Sequence, residues 1–193
     1  MLLEVKNMAI SFQRFNGGWS RKTITPVSDI TLSVKKGEIV ALVGASGAGK
    51  SLLSHALLGI LPDNASLTGI FRFKGKPLEP KNFIQLRGKE IALIPQSVAY
   101  LNPLTHIKKQ VYRSARLSGR CSCTANECCD TTFNRYQLSE SVKSYYPFQV
   151  SGGMAGRVLT AIATVSTADL IIADEPTNGL DQTVTDQSLG HLK

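Results

Sequence analysis

At 193 residues, with 42% hydrophobic and 19% charged residues, the chain has enough apolar matter for one large domain or a domain with a sub-domain. No run of about 18 uncharged apolar residues occurs, so no transmembrane helix is expected. The start, Met1–Lys6, carries an acid at Glu4 and does not read as a secretory signal, which makes the cytoplasm the expected compartment. The net charge of +8 is unevenly placed: Arg72 to Arg120 holds eleven Lys/Arg against Glu79 and Glu90, a local +9. Such a segment is either a solvated face or a surface for anionic lipid, an acidic partner or nucleic acid.

Residues 2–12 alternate and predict a strand, Asn16-Gly17-Gly18 a loop, and Thr31–Val34 a second strand ended by the turn Lys35-Lys36-Gly37. The apolar run Ile39–Val43 predicts a strand buried on both faces. Gly44-Ala45-Ser46-Gly47-Ala48-Gly49-Lys50-Ser51 follows, and Leu52–Leu58 after it has helical spacing. Leu67–Lys74 alternates again and is closed by Gly75, so the early strands predict an antiparallel sheet beside the core that carries the glycine loop. Ile91–Ile94 and Leu170–Ala173 are further uninterrupted apolar runs, expected to be buried strands. Between them, about Lys108 to Tyr146 lacks strand signals and predicts an inserted helical sub-domain. All four cysteines, Cys121, Cys123, Cys128 and Cys129, fall in that stretch. Their C-x-C-x4-C-C spacing matches no usual zinc or cluster pattern. Thr124–Glu127 instead predicts a capping box, placing Cys128 and Cys129 as small buried side chains in the first turns of a helix.

The glycine loop fits G-x-x-x-x-G-K-[ST] and sits between a predicted strand and a predicted helix, the context that motif needs. Its glycines let the N–H groups of residues 46–51 converge on phosphate oxygens, with the positive end of the helix behind them. Lys50 is a mobile point charge for the β- and γ-phosphates, and the Ser51 hydroxyl is a Mg²⁺ ligand. Asp174 ends an apolar strand, where its carboxylate emerges at the carboxyl edge of a sheet and suits Mg²⁺. Glu175 next to it can polarise a water aimed at the γ-phosphate. The ligands these residues imply are a nucleoside triphosphate and Mg²⁺.

Tyr146-Pro147-Phe148-Gln149-Val150-Ser151-Gly152-Gly153-Met154 resembles the signature motif of ABC transporter ATPases. Ala173–Thr177 followed by Asn178-Gly179-Leu180-Asp181 resembles their Walker B and D-loop, and Ile94-Pro95-Gln96 their Q-loop. The spacings agree: 46 residues from Lys50 to Gln96, 55 more to Ser151, and 23 more to Asp174. The resemblance covers the whole chain. It implies an α/β fold: a P-loop NTPase core with a mainly parallel sheet, an N-terminal antiparallel β sub-domain and an inserted helical sub-domain. The divisions expected are 1–96 for the β sub-domain and P-loop core, 97–150 for the helical sub-domain, and 151–193 for the signature helix, Walker B and D-loop.

The resemblance also implies roles. Two subunits would pair head to tail with two ATP molecules in the seam, and Ser151, Gly152 and Gly153 would contact the γ-phosphate held by the other subunit's Lys50. Gln96 would sense Mg²⁺ and the attacking water and link to the transmembrane partner, while Asp181 would communicate across the dimer. Phe12 is the candidate for stacking on adenine, with Phe15 or Trp19 as alternatives. The partners implied are transmembrane permease subunits and a second ATPase, a heterodimer in preference to a homodimer. No cargo contact and no nucleic acid are expected, and the location implied is the cytoplasmic face of the membrane.

Leu58–Pro62, Leu101-Asn102-Pro103 and Tyr146-Pro147-Phe148 resemble the oligopeptide/nickel importer branch. Gly59–Pro62 and Lys74–Pro77 are most similar to the nickel members. Two departures stand out. Ala155-Gly156 precedes Arg157 where Gln is common, and no histidine stands about 30 residues after Asp174-Glu175, where the family has a switch histidine; His55, His106 and His191 lie elsewhere. The chain therefore reads as C-terminally truncated, with the distal core strand lacking and apolar edges exposed to aggregation. A nucleotide-binding fragment without turnover, or a soluble ABC ATPase outside transport, are the alternatives this leaves.

Overall fold

The computed structural model describes residues 1–15 and 21–175. The chain divides into two compact units, Met1–Arg87 and Gly88–Lys193. In the first unit, β1 (Leu3–Phe15), β2 (Arg21–Val34), β3 (Ala65–Phe73) and β4 (Lys76–Pro77) form an antiparallel sheet in the order β2-β1-β3-β4. Leu3 and Val5 are buried, while Glu4 and Lys6 between and beside them pair at 2.8 Å on the other face. Met8 and Ile10 are also fully buried, which strict alternation from Val5 forbids. The strand solves this with a register shift between Val5 and Met8, where Asn7 takes φ 50°. A bulge of this kind resets which residues face inward. Opposite it, Gly69 of β3 has φ 128°, and a Cβ there would stand 2.9 Å from both the Lys6 carbonyl oxygen and the Met8 Cα. Only glycine lets β3 approach the bulge.

Helix α1 (Lys50–Leu57) buries Leu53, Ala56 and Leu57, the i, i+3, i+4 face its sequence predicts. A single helical turn, α2 (Phe83–Leu86), follows β4 and puts the fully buried Phe83 edge-on to Phe71 of β3, ring centroids 5.5 Å apart. The expected buried strand over Ile39–Val43 is not formed. These residues have no strand structure, no described strand pairs with them, and Ile39 and Val43 are 69% and 92% exposed. Apolar composition alone cannot bury a strand; its N–H and C=O groups need a hydrogen-bonded neighbour on the sheet. The loop expected at Asn16-Gly17-Gly18 lies outside the described residues.

In the second unit, β5 (Ile91–Ile94) and β6 (Leu170–Ala173) pair in parallel, in register from Ile91↔Leu170 to Ile94↔Ala173. Strand β5 is almost wholly buried, but β6 is only half-buried, against the expectation for both. In a two-stranded sheet only one side of each strand has a neighbour. Three helices build the core: α3 (Ile107–Leu117), α4 (Ser122–Arg135) and α5 (Gly152–Val165). Ile107, Val111 and Ala115 line one face of α3, and Ala125, Cys129 and Phe133 one face of α4, both at four-residue spacing. They close on Ala155, Val158 and Leu159 of α5. Ala163, further along α5, packs with Ala92 and Ile94 of β5. Arg120, in the turn before α4, donates from its guanidinium to the Val165 carbonyl and, at 3.4 Å, to the Thr167 hydroxyl, tying that turn to the end of α5.

The capping box over Thr124–Glu127 is also not formed. Helix α4 starts three residues earlier than that cap requires, at Ser122 with Cys121 as N-cap, so Thr124 is already inside the first turn and its hydroxyl meets the Cys121 sulfur at 3.0 Å. Cys129 is buried as expected, Cys128 only half so, and both stand mid-helix. On the surface of the same bundle, the Lys143 ammonium donates to Asp130 at 2.7 Å and lies 2.6 Å from Glu140. This holds the Asp130 carboxyl below its ordinary value, and Lys108 adds to the effect. A carboxylate whose folded value is depressed contributes stability that is present above the unfolded value, about 3.9, and lost as pH falls through the lower folded one. The Asp130→Asn chain should therefore melt with less dependence on acid than the natural one. At neutral pH it should lose only a few tenths of a kcal/mol, because the pair is half-exposed. Thermal melts across that acid range check both statements. Among the described residues no helix is long and apolar enough to cross a membrane.

Candidate functional site

The loop from Gly44 to Gly49 leads into α1 through left-handed backbone at Gly47 (φ 79°) and Gly49 (φ 87°). The Ala48 N–H closes on the Ala45 carbonyl at 3.1 Å. Lys50, the first residue of α1, folds back over the loop: its Nζ donates to the Gly44 carbonyl at 2.9 Å and the Ala45 carbonyl at 3.0 Å. The ammonium therefore rests at the loop that would carry the anion. Ser51 follows on the exposed side of the helix. Gly49 is required twice over, by its φ and by space, since a Cβ would stand 2.5 Å from Val27 Cγ2 of β2. Gly49→Ala should cost about 1–3 kcal/mol and lower the thermal midpoint measured by circular dichroism; an unchanged midpoint would contradict this geometry.

The second unit carries its own cluster of polar residues, Gln96, Asp174 and Glu175. Asp174 and Glu175 follow β6 and Gln96 follows β5, so all three stand at the carboxyl ends of two parallel strands, the edge where α/β sheets present ligand groups. The Asp174 N–H extends the ladder to the Ile94 carbonyl at 2.9 Å. Gln96 Nε2 donates to Glu175 Oε2 at 2.6 Å, across 79 residues of sequence. Glu175 also holds φ 47°, left-handed backbone that a non-glycine residue adopts at a cost. Sequence reading missed both features. It placed each residue by its own motif and carried no signal for their direct contact or for the strained backbone.

Ser151 is the N-cap of α5, its hydroxyl accepting from the Met154 N–H at 3.3 Å. A Cβ at Gly152 or Gly153 would meet no described atom within 4 Å, and the helix has no acid in its first turn. The preceding Tyr146–Gln149 turn is closed by the Tyr146 N–H donating to Gln149 Oε1 at 2.8 Å. Phe12 lies half-buried in β1, between Ile24 of β2 and Ala65 of β3. Trp19, Asp181 and His191 lie outside the described residues, as does the side chain of Phe15.

The chemistry of these donors fits the expected ligand. Within each unit taken by itself, the Ser51 hydroxyl of the first and the Asp174 carboxylate and Gln96 amide of the second are hard oxygens of the kind Mg²⁺ prefers. A curled amide loop with one ammonium at its mouth suits a triphosphate. A model of the ABC transporter family matches residues 27–178, more than three quarters of the chain.

The chain belongs to that family. Among relatives of this ABC chain, a peptide import ATP-binding protein of Brucella abortus (strain 2308) is 35% identical over 200 residues, covering all of this chain and 59% of the relative. The oligopeptide transport ATP-binding protein OppD of Bacillus subtilis (strain 168) is 34% identical over 203 residues, again all of this chain and 55% of the relative. The ABC chain thus spans little more than half the length of these proteins. A dimeric ATP-binding cassette solved in a post-hydrolysis state with ADP and Pi superposes with a TM-score of 0.82 at 22% identity, over 99% of this chain and 81% of its own, and so shares the fold. The α/β class, the antiparallel N-terminal sheet and the family expected from the motifs all hold for this ABC chain.

Proposed function

We propose that the chain is the ATP-binding and ATP-hydrolysing subunit of a peptide importer. The single observation that carries the reading is the Gln96–Glu175 contact at the ends of β5 and β6. It joins an acid able to accept a proton from water to a residue that can report its state. Gly44–Ser51 bind the phosphates, Lys50 neutralises them, and Ser51, Asp174 and Gln96 hold Mg²⁺, which neutralises phosphate charge when bound. Glu175 orients the water and takes its proton. Ser151, Gly152 and Gly153 meet the nucleotide of a second ATPase subunit, Asp181 communicates with that subunit, and Phe12 stacks on adenine. Permease subunits recruit the chain to the cytoplasmic face of the membrane and choose the cargo, which this subunit does not touch.

The names of the relatives support peptide over nickel, which rests on short sequence pieces alone. Membrane vesicles carrying the chain with the permease and solute-binding subunits of a peptide importer should accumulate labelled oligopeptide when ATP is supplied. Accumulation of Ni²⁺ in place of peptide would move the assignment to the nickel branch. ATP binding without phosphate release would reduce the chain to a nucleotide-binding module.

A further inference from the structure

The helical unit holds a cavity of about 530 Å³ that the proposed transport chemistry does not use. Pockets that take small molecules fall in this size range. His106, Lys108, Lys109 and Tyr112, at the start of α3, line one side of it. Glu140 and Lys143, in the short helical turn Glu140–Ser144 after α4, line another. The three ammonium groups are not equally matched by acids. Lys143, whose side chain is 12% exposed, lies 5.6 Å from the Phe133 ring centroid and is held by Asp130 at 2.7 Å and Glu140 at 2.6 Å. Lys108 reaches Asp130 only at 3.9 Å, and Lys109 pairs with no carboxylate among the described residues. Two acids therefore meet three ammoniums. Helix α3 adds to the positive excess. It has no acid in its first turn and no side-chain cap. The N–H groups of Lys108 and Lys109, in that turn, find no acceptor within the helix, and the positive pole of the helix lies there. Beside these donors, the His106 ring is backed by Tyr146 with centroids 4.2 Å apart.

We propose that this cavity binds a small phosphate monoester, its phosphoryl oxygens on Lys108, Lys109 and the start of α3, and its organic part against the Tyr112 and His106 rings. A phosphate monoester carries about −1.5 to −2 charges at pH 7 and three strong acceptor oxygens. That matches two weakly countered ammoniums beside a helix pole, whereas a monocarboxylate would leave much of the charge unanswered. Lysine meets such a group as a mobile point charge and needs no planar, two-pronged partner. Glu140 opposes the ligand. Its side chain is 83% exposed, it occupies Lys143, and it brings negative charge to the same cavity. Removing that charge frees the third ammonium and strengthens the site. This sets the proposal apart from a purely structural ion-pair network, in which loss of Glu140 could only weaken what it supports.

The test reads the lysines themselves, in the whole chain, by brief acetylation with N-acetoxysuccinimide and peptide mass mapping. Glycerol 3-phosphate is the soluble probe, and phosphatidylcholine vesicles containing phosphatidate carry the same monoester as a lipid headgroup. Glycerol 3-phosphate should slow labelling of Lys108 and Lys109 several-fold, with half the effect at a concentration on the order of 1 mM, the strength of a few charge-assisted hydrogen bonds at an open site. Lys81, exposed in the other unit, should label as before, and NaCl at equal ionic strength should protect neither lysine of the cavity. Glu140→Gln should lower the half-effect concentration by about two- to fivefold. Lys109→Ala should raise it by about tenfold or more, read at Lys108. Protection by the soluble ester assigns a free metabolite as the source of the phosphoryl group, and protection by the vesicles alone assigns the headgroup. No protection by either, equal protection by NaCl, unchanged binding in Lys109→Ala, or no tighter binding in Glu140→Gln would overturn the proposal. The labelled lysines lie outside the Gly44–Ser51 loop, so failure here leaves the proposed transport function untouched.

Discussion

Replacing Glu175 by Gln should cut phosphate release by about 10²- to 10⁴-fold, the ordinary worth of a positioned general base. ATP binding should persist. The substitution is nearly isosteric, and the new amide oxygen can still accept from Gln96 Nε2, which now meets the carboxylate at 2.6 Å. The strand ends and the Asp174–Ile94 ladder bond are untouched. What disappears is the charge and the basicity of one oxygen pair. Steady-state phosphate release beside an ATP titration of the same preparation separates the two effects. Normal turnover in the Gln variant would remove Glu175 from the chemistry and with it the observation on which the function is built.

The second large effect is expected from Lys50→Ala. Charge-assisted hydrogen bonds contribute about 1.5–3 kcal/mol each, so losing the ammonium should weaken ATP binding by about 10- to 100-fold. A further loss comes from the loop itself, because Lys50 Nζ now bridges the Gly44 and Ala45 carbonyls. Lys50→Arg should recover little, since a planar fork cannot replace a compact charge within so tight a curl. Calorimetric titration of the three chains with ATP measures this directly. Equal affinity in all three would mean that the loop does not hold phosphate.

Where one motif fixes one local conformation, the sequence was a good guide. Ser-Gly-Gly-Met opens the helix α5, the helix read over Leu52–Leu58 forms as α1 and begins two residues sooner, at Lys50, and the runs at 91–94 and 170–173 became the paired strands. It misled where the outcome depends on neighbours. Ile39–Val43 is as apolar as β5 yet forms no strand, because pairing is a property of two segments and composition of one. Thr124 and Glu127 have the spacing of a cap, but the helix gains three residues, most of a turn, by starting at Ser122, and the cap position passes to Cys121. The bulge at Asn7 was hidden for a third reason. Both halves of β1 alternate correctly, and only the jump from Val5 to Met8 reveals the change of phase. The Gln96–Glu175 contact belongs with the strand failure, being a long-range pairing that no local pattern encodes.

Helix α5 is electrically lopsided. A guanidinium sits on the carbonyl at its far end, while its near end has no acid in the first turn and opens on two glycines, Gly152 and Gly153. The guanidinium offsets part of the carbonyl pole, and the field of the other pole is screened beyond about 10 Å at 0.1 M electrolyte. Whatever anion is recruited there must feel that pull only at the last stage of approach, and concentrated salt will blunt it. Low ionic strength is therefore the condition under which this end of the molecule should be most receptive.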